Sequence, residues 1–183
     1  MKRRDIFSIL IIGLCAVLIG ITGCDSDDDD DDSGSGGGLP GTWTIAGATI
    51  TAPLVGDNSA ILQLAGVDVD GNTMTVNATF LGLFGISITL IIDADGTWVL
   101  QATVPTIPGY VDAGTYTAEG TYSASGGRVD VTITSVPAEA AGLVAAGDSY
   151  TISYSQSGDS LNLSASSADL GVAGVSGSVD FTR

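Results

Sequence analysis

The stretch Val129-Asp130-Val131-Thr132-Ile133 decides the fold class, because apolar and polar side chains alternate strictly along it. The same period of two recurs in Tyr150-Thr151-Ile152-Ser153-Tyr154 and in Leu161-Asn162-Leu163. Successive side chains of a strand point to opposite faces of a sheet, so each stretch presents one apolar and one polar face. This pattern is typical of half-buried antiparallel strands and predicts an all-β domain.

Turn signals separate these segments and set the predicted strand boundaries. Glycine stands beside aspartate or a second glycine at Asp70-Gly71, Asp95-Gly96, Gly126-Gly127 and Gly158-Asp159. Together with the alternation, these turns predict roughly eight to ten strands. The predicted strands lie near residues 42–51, 60–69, 73–81, 84–92, 97–104, 114–123, 127–135, 149–155, 160–165 and 177–182. One short helix is predicted from Ala138 to Ala146, and residues 166–176 are predicted to form a loop.

The stretch from Phe80 to Ile92 is apolar nearly throughout and contains Gly82 and Gly85. It is shorter than the ~20 residues that a helix needs to cross a bilayer. We therefore expect a well-buried strand here, with a bend at the glycines.

Residues 39–183 are predicted to form one folded domain. A domain of this size buries about two-thirds of its unfolded surface, which is enough for a core without disulfides. Closing an antiparallel meander into a β-barrel removes its exposed edges, so a barrel is the favoured architecture. A β-sandwich is the alternative.

The two ends of this domain resemble those of bacterial lipocalin-like domains. Leu39-Pro40-Gly41-Thr42-Trp43 is similar to the Gly-x-Trp signature of lipocalins, and Val179-Asp180-Phe181-Thr182-Arg183 resembles the close of their last strand. Hairpins of the same group are similar to Asp93-Ala94-Asp95-Gly96-Thr97-Trp98, Gly114-Thr115-Tyr116 and Gly120-Thr121-Tyr122. The resemblance implies a lipocalin-like barrel in which Arg183 lies across Trp43 and closes one end through a cation–π contact. The sequence has no Thr-Asp-Tyr motif and no lipocalin disulfide, so the sandwich stays open as an alternative.

The N-terminus carries an export signal. Lys2, Arg3 and Arg4 precede an apolar run from Ile6 to Ile21, which is typical of a secretory signal peptide. Ile21-Thr22-Gly23-Cys24 resembles the lipobox of bacterial lipoproteins, whose cysteine is lipidated and becomes the first mature residue. The resemblance implies that residues 1–23 are removed and that Cys24 anchors the chain in a lipid bilayer. A plain secretory signal, or a membrane anchor with an incidental cysteine, is the alternative.

Residues 24–38 combine Cys24 with Asp25-Ser26, six consecutive aspartates from Asp27 to Asp32, and a Gly/Ser stretch. Charge repulsion extends such a run and glycine keeps the remainder loose, so we expect a disordered tether. Acidic runs of this kind resemble signals that export lipoproteins to the surface of the outer membrane. Asp25 directly after Cys24 resembles instead a signal that retains lipoproteins at the inner membrane. The outer membrane is favoured because the whole run supports it.

Charge and composition exclude several function classes. The chain has 21 acidic and 5 basic side chains, a net charge of -16 and no histidine. Such a surface repels phosphate backbones, so no nucleic-acid partner is predicted. Neither a Ser-His-Asp triad nor a histidine-ligated zinc site can be built. The domain also lacks cysteine and lysine, so we predict that the protein is not an enzyme. A hydrolase that uses two carboxylates is the remaining catalytic alternative.

Two aspartate pairs, Asp68 with Asp70 and Asp93 with Asp95, are the candidate metal ligands. Calcium takes six to eight oxygen ligands, and the four carboxylates with Asn72 could supply several if their loops converge. Each pair also stands beside a turn glycine, where aspartate is common for backbone reasons. The calcium hypothesis therefore competes with a turn interpretation, and no cofactor is predicted.

The aromatic side chains of the predicted strands could fill the core or line a cavity. They are Trp98, Tyr116, Tyr122, Tyr150 and Tyr154. Barrels of about eight strands are either packed solid or hold one small ligand. The leading function is a membrane-anchored, non-catalytic envelope lipoprotein that binds a small apolar ligand in its barrel. The alternative is a structural or interaction module with a filled barrel.

Overall fold

The computed structural model describes residues 38–51, 68–71, 73–106, 113–138, 140, 144–170 and 174–183. Ten strands and two short helices follow one another along these residues. The elements are β1 (Gly41–Thr51), β2 (Asp68–Asp70), β3 (Thr73–Asn77), α1 (Ala78–Leu83), β4 (Ser87–Ile92), β5 (Thr97–Val104), β6 (Gly114–Ser125), β7 (Arg128–Ser135), β8 (Ser149–Ser157), β9 (Ser160–Ala165), α2 (Ser167–Leu170) and β10 (Ser176–Thr182).

Eight of these strands close into an antiparallel barrel. From β4 to β10 each strand pairs with the next, and β1 pairs with β4 on one side and with β10 on the other. Strands β3 and β2 extend the sheet along the second half of β1, where β3 pairs with Gly47–Thr51. The predicted antiparallel meander barrel is confirmed, and the closed ring excludes the β-sandwich.

Strict alternation places the core inside the barrel. Along β5, Trp98, Leu100, Ala102 and Val104 are buried, while the residues between them are exposed or half-buried. The stretch 129–133 of β7 behaves in the same way, with Val129, Val131 and Ile133 buried. Apolar side chains therefore face inward around the ring, and small hydroxylated and charged side chains face outward.

The two ends of the barrel differ in their connections. At one end, three tight turns join β4 to β5, β6 to β7 and β8 to β9, at residues 93–96, 126–127 and 158–159. The chain also enters β1 and leaves β10 at this end, which we call the hairpin end. Strands β1, β5, β7 and β9 end at the opposite end of the barrel, which we call the loop end.

The apolar stretch Phe80 to Ile92 is not one strand, and this prediction was wrong. The chain leaves the sheet after Asn77, forms α1, and returns as β4 from Ser87. Gly85 has a φ of +67°, and its amide donates to the Gly82 carbonyl at 3.0 Å. The amide of Ile86 donates to the Leu81 carbonyl at 2.9 Å, which completes a Schellman C-cap. The cap ends α1 where the pattern predicted a continuous strand, and the predicted strand 73–81 is shortened to β3.

Other predicted elements differ in extent. Residues 166–176 were expected to form a loop, but α2 occupies Ser167–Leu170. Of the predicted strand 60–69, residues 60–67 lie outside the described residues, and β2 begins at Asp68. The helix predicted from Ala138 to Ala146 is described only in part. Its described residues are not helical, although the amide of Val144 donates to the Ala140 carbonyl at 3.2 Å. The signal peptide, Cys24 and the tether up to residue 37 lie outside the described residues.

Candidate functional site: the barrel interior and its hairpin end

Where the described residues line it, the barrel interior is apolar and nearly filled. Among the described residues every buried side chain is apolar or aromatic, and none is charged. The described residues of the interior leave a cavity of about 40 Å³. Its lining consists of Leu39, Leu90, Ile92, Trp98, Leu100, Tyr122, Val129, Val131, Ile152 and Leu163. A pocket that holds a drug-sized ligand measures roughly 300–1,000 Å³, so the observed space is that of a packing defect.

The N-terminal approach to β1 covers this cavity at the hairpin end. Leu39 is buried and forms part of the lining. The indole Nε1 of Trp43 donates to the Leu39 carbonyl at 2.9 Å, which fixes the turn that leads into β1. Trp43 itself is fully buried. Leu39 therefore covers the cavity at this end, and the hydrogen bond from Trp43 of β1 holds it there.

The structure brings Trp43 and Arg183 together at the hairpin end. The Cζ atom of Arg183 lies 4.5 Å from the centroid of the Trp43 ring, within the range of a cation–π contact. Arg183 Nε also lies 3.6 Å from a carboxylate oxygen of Asp159, and its amide donates to the Asp159 carbonyl at 3.1 Å. A Cβ at Gly41 would lie 3.0 Å from Arg183 Nη1, so the glycine of the Gly-x-Trp motif leaves room for the guanidinium. The first and last strands are thus joined at the hairpin end.

The second arginine of the domain is paired as well. Arg128 Nη2 lies 2.8 Å from Asp169 Oδ1, and the side chain of Asp169 is 16% exposed. Burial would raise the pKa of this carboxyl, but hydrogen bonds from the hydroxyl and amide of Ser166, together with Arg128, outweigh it and hold the pKa below its usual range. Both guanidinium groups of the described domain therefore contact its own carboxylates.

The candidate calcium ligands do not converge. Asp93 and Asp95 lie in the β4–β5 turn at the hairpin end, and both are exposed. Asp95 accepts hydrogen bonds from the hydroxyl and amide of Thr97 at 2.7 and 3.1 Å, which lower its pKa. Asp68 and Asp70 stand in β2, beside the half of β3 that approaches the loop end. Within the described part of the chain, no group of three or more acidic residues is arranged to hold a metal ion.

The aromatic side chains contribute mainly to the core. Trp98 and Tyr122 line the residual cavity, while Tyr116 and Tyr154 pack against the core from its margin. The hydroxyl of Tyr122 donates to the Asp93 carbonyl at 3.0 Å, and burial together with Asp95 and Asp93 raises its pKa. The hydroxyl of Tyr150 donates to Asp148 at 3.0 Å, and burial with this bond raises its pKa strongly. Both tyrosine hydroxyls therefore donate hydrogen bonds to polar groups at the edge of the apolar interior.

The outer face carries a feature that the sequence pattern does not predict. In-register pairing across β8, β9, β10 and β1 aligns Ser153, Ser164, Ser178 and Thr49 in one row. With Ser166 and Asp169 these hydroxyls line a shallow groove of about 400 Å³. Alternation shows that each side chain faces outward, but only the register between strands places them side by side.

Comparison with known proteins gives one structural similarity. No protein-family model and no curated protein matches the chain. The chain is similar to a lipocalin-like protein from Bacteroides uniformis, with 15% sequence identity and a TM-score of 0.43. The match covers 79% of this chain and 97% of that one. The barrel assignment rests on the strand pairing within this chain. Among the described residues, no helix is long and apolar enough to cross a bilayer.

Proposed function

We propose that the protein is a non-catalytic lipoprotein of the bacterial cell envelope, anchored through Cys24, whose filled barrel works through its outer surface. The acidic tether 25–38 would hold the barrel clear of the bilayer. The observation that carries this proposal is the interior, where tightly packed apolar side chains leave about 40 Å³. The absence of histidine, cysteine and lysine from residues 39–183 supports a non-catalytic role, because serine and threonine then lack the usual bases.

The carrier hypothesis has less support from this geometry. A small apolar ligand needs a cavity several times larger than the one beneath Leu39. The polar atoms of the buried aromatic side chains already have partners within the protein: Trp43, Trp98 and Tyr150 donate to Leu39, Thr121 and Asp148. A cargo would have to displace core side chains such as Trp98 or Leu100, which face the interior from β5.

Titration with an apolar fluorescent dye, N-phenyl-1-naphthylamine, separates the two functions. The mature chain should give no saturable fluorescence increase, because the dye has no space to enter. Leu100→Ala is the matched control, since it enlarges the existing cavity at a cost of about 2–5 kcal/mol in stability. Benzene should raise the melting temperature of this variant and leave that of the wild type unchanged. Saturable 1:1 dye binding by the wild type would support the carrier function instead.

The anchor is tested independently of the barrel. Cells that express the full chain are grown with labelled palmitate, and the protein is isolated from separated membranes. We expect label on the wild type, no label on Cys24→Ala, and enrichment in the outer-membrane fraction. Unlabelled wild-type protein would refute lipidation, and labelled protein confined to the inner membrane would refute the proposed location.

A further inference from the structure

The end of α1 presents apolar side chains to solvent. Leu83 is 80% exposed and Phe84 is 42% exposed. They are the large hydrophobic side chains exposed among the described residues, and they are consecutive. We call Leu83 and Phe84 the apolar tip.

The fold holds this tip in a fixed position. Leu81 and Ile86, which flank it, are buried in the core. Their backbone hydrogen bond and the positive φ of Gly85 form the Schellman cap described above. Because Leu81 and Ile86 are buried and joined by this bond, Leu83 and Phe84 could turn inward only if the cap broke.

The segment that carries the tip is uncharged in an otherwise acidic protein. Residues 73–92 contain no aspartate, glutamate, lysine or arginine, although the whole chain has a net charge of -16. Anionic headgroups would repel the acidic parts of the surface, whereas residues 73–92 carry no charge of their own to oppose contact. Leucine and phenylalanine are side chains that settle in the boundary between headgroups and acyl chains.

The tip also lies within reach of the anchored bilayer. The chain departs for α1 beside the β1 bulge between Ile45 and Gly47. This bulge is roughly 15 Å along β1 from Gly41, the first residue of the strand, which follows the tether by two residues. Residues 25–38 span at most about 50 Å when fully extended, so the tether allows the barrel to lie with its side against the membrane.

We propose that the apolar tip inserts into the interface of the bilayer that carries the Cys24 anchor and orients the barrel on it. This inference rests on the proposed anchoring. The occupant is the lipid surface itself, which the uncharged segment 73–92 and the reach of the tether favour.

The test uses the mature chain with an N-terminal hexahistidine tag and Cys24→Ser, bound to phosphatidylcholine vesicles that contain a nickel-chelating lipid. Leu83→Cys introduces a single thiol for an environment-sensitive dye, because the natural cysteines are Cys15 and Cys24. Thr134→Cys, exposed on β7 across the barrel, is the matched control position. The tag replaces the natural lipid, so this result is independent of whether Cys24 is lipidated.

We expect the dye at position 83 to shift to shorter wavelength on vesicles and to be quenched by brominated acyl chains, while the dye at position 134 is unaffected. Adding Phe84→Ser should reduce the shift, and anionic phosphatidylserine should weaken it. An unchanged dye at position 83, or equal shifts at both positions, would overturn the proposal. A concentration-dependent shift without vesicles would also overturn it, because a second copy of the chain would then cover the tip.

Discussion

Gly120 is the residue at which the barrel wall tolerates no side chain. It lies in β6 next to a bulge in the pairing with β7, directly opposite Trp98 of β5. A Cβ at this position would lie 2.1 Å from the Thr132 carbonyl oxygen and 2.6 Å from the Trp98 ring. The indole Nε1 of Trp98 donates to the Thr121 carbonyl at 3.1 Å, which holds the ring across β6. The sequence shows the glycine, but only the cross-strand register shows why it is needed.

Gly120→Ala should therefore destabilise the barrel by about 1–3 kcal/mol, the usual cost of overpacking a core, or by more. Gly114→Ala in the same strand is the control, because its Cβ would meet only the Tyr116 ring at 3.8 Å. Urea denaturation measures both variants. The denaturation midpoint of Gly120→Ala should fall clearly at an unchanged m-value. The midpoint of Gly114→Ala should stay near that of the wild type. Equal midpoints for the two variants would contradict the packing described for Trp98.

Arg183 should contribute more to stability than Arg128. Arg183 stacks on the buried Trp43 ring and joins the two terminal strands, while Arg128 is half-exposed in an ion pair with Asp169. We expect Arg183→Gln to cost about 1 kcal/mol. Arg128→Gln should cost at most that much, because partly exposed ion pairs contribute little. Thermal denaturation of both variants gives the order, and the reverse order would contradict a closing role for Arg183.

At the scale of elements, the sequence predicts strands well where turns and alternation coincide. Strands β5 and β9 have the predicted bounds, because a glycine turn precedes each and one face is apolar throughout. Alternation is lost between Phe80 and Ile86, and a short apolar run is equally compatible with helix and strand. Gly85, placed between apolar residues, carried a C-cap signal that would have indicated the end of a helix.

Two glycine variants in α1 test this cap. Gly85→Ala should destabilise the protein by about 1 kcal/mol, because the alanine must adopt a left-handed conformation at φ +67°. Gly82→Ala should stabilise it by about 0.5–1 kcal/mol, because it lies inside the helix and a Cβ there has nothing within 4 Å. Chemical denaturation compares them. Effects of the same sign would mean that the turn is not a Schellman cap.

The helix α2 was predictable from a capping box that the loop interpretation overlooked. Ser166 and Asp169 stand three residues apart, and the amide of Ser166 donates to Asp169 Oδ2 at 2.8 Å. The amide of Asp169 donates to the Ser166 hydroxyl at 3.3 Å. These reciprocal bonds start the helix and orient the carboxylate toward Arg128.

The depressed pKa of Asp169 predicts how this element responds to pH. A carboxyl whose pKa is lower in the folded than in the unfolded state stabilises the fold above the unfolded value, near 3.9, and loses this contribution as the pH falls through the folded pKa. Asp169→Asn should therefore be less stable than the wild type at neutral pH, and the difference should shrink below about pH 4. Denaturation midpoints from pH 7 to pH 2.5 check this. Asp159→Asn is the control, because the side chain of Asp159 is 82% exposed. Its denaturation midpoint should stay close to that of the wild type across this pH range.

For the whole molecule, closure of the barrel followed from local patterns, whereas the state of its interior did not. Short turns between successive strands predict an antiparallel meander. Because each strand has one apolar face to bury, the meander is best closed by pairing its first strand with its last. Whether inward side chains meet at the centre depends on strand tilt and on contacts such as Trp98 over Gly120, which no local pattern encodes. The proposal of a filled module rather than a carrier therefore rests on the packing seen in the structure. The sequence likewise could not show whether the four candidate aspartates converge. The topology of the sheet decides this, and it places the two pairs at different ends of the barrel.

The central claim is that the barrel is filled and carries no small ligand. A native mass spectrum of the mature chain, purified gently from membranes and recorded with and without added Ca²⁺, tests it most directly. A filled barrel predicts the mass of the protein with its lipid anchor and no further adduct in either condition. A stoichiometric adduct of a small apolar molecule would contradict a filled barrel, and a stoichiometric calcium adduct would show that carboxylates assemble into a metal site after all.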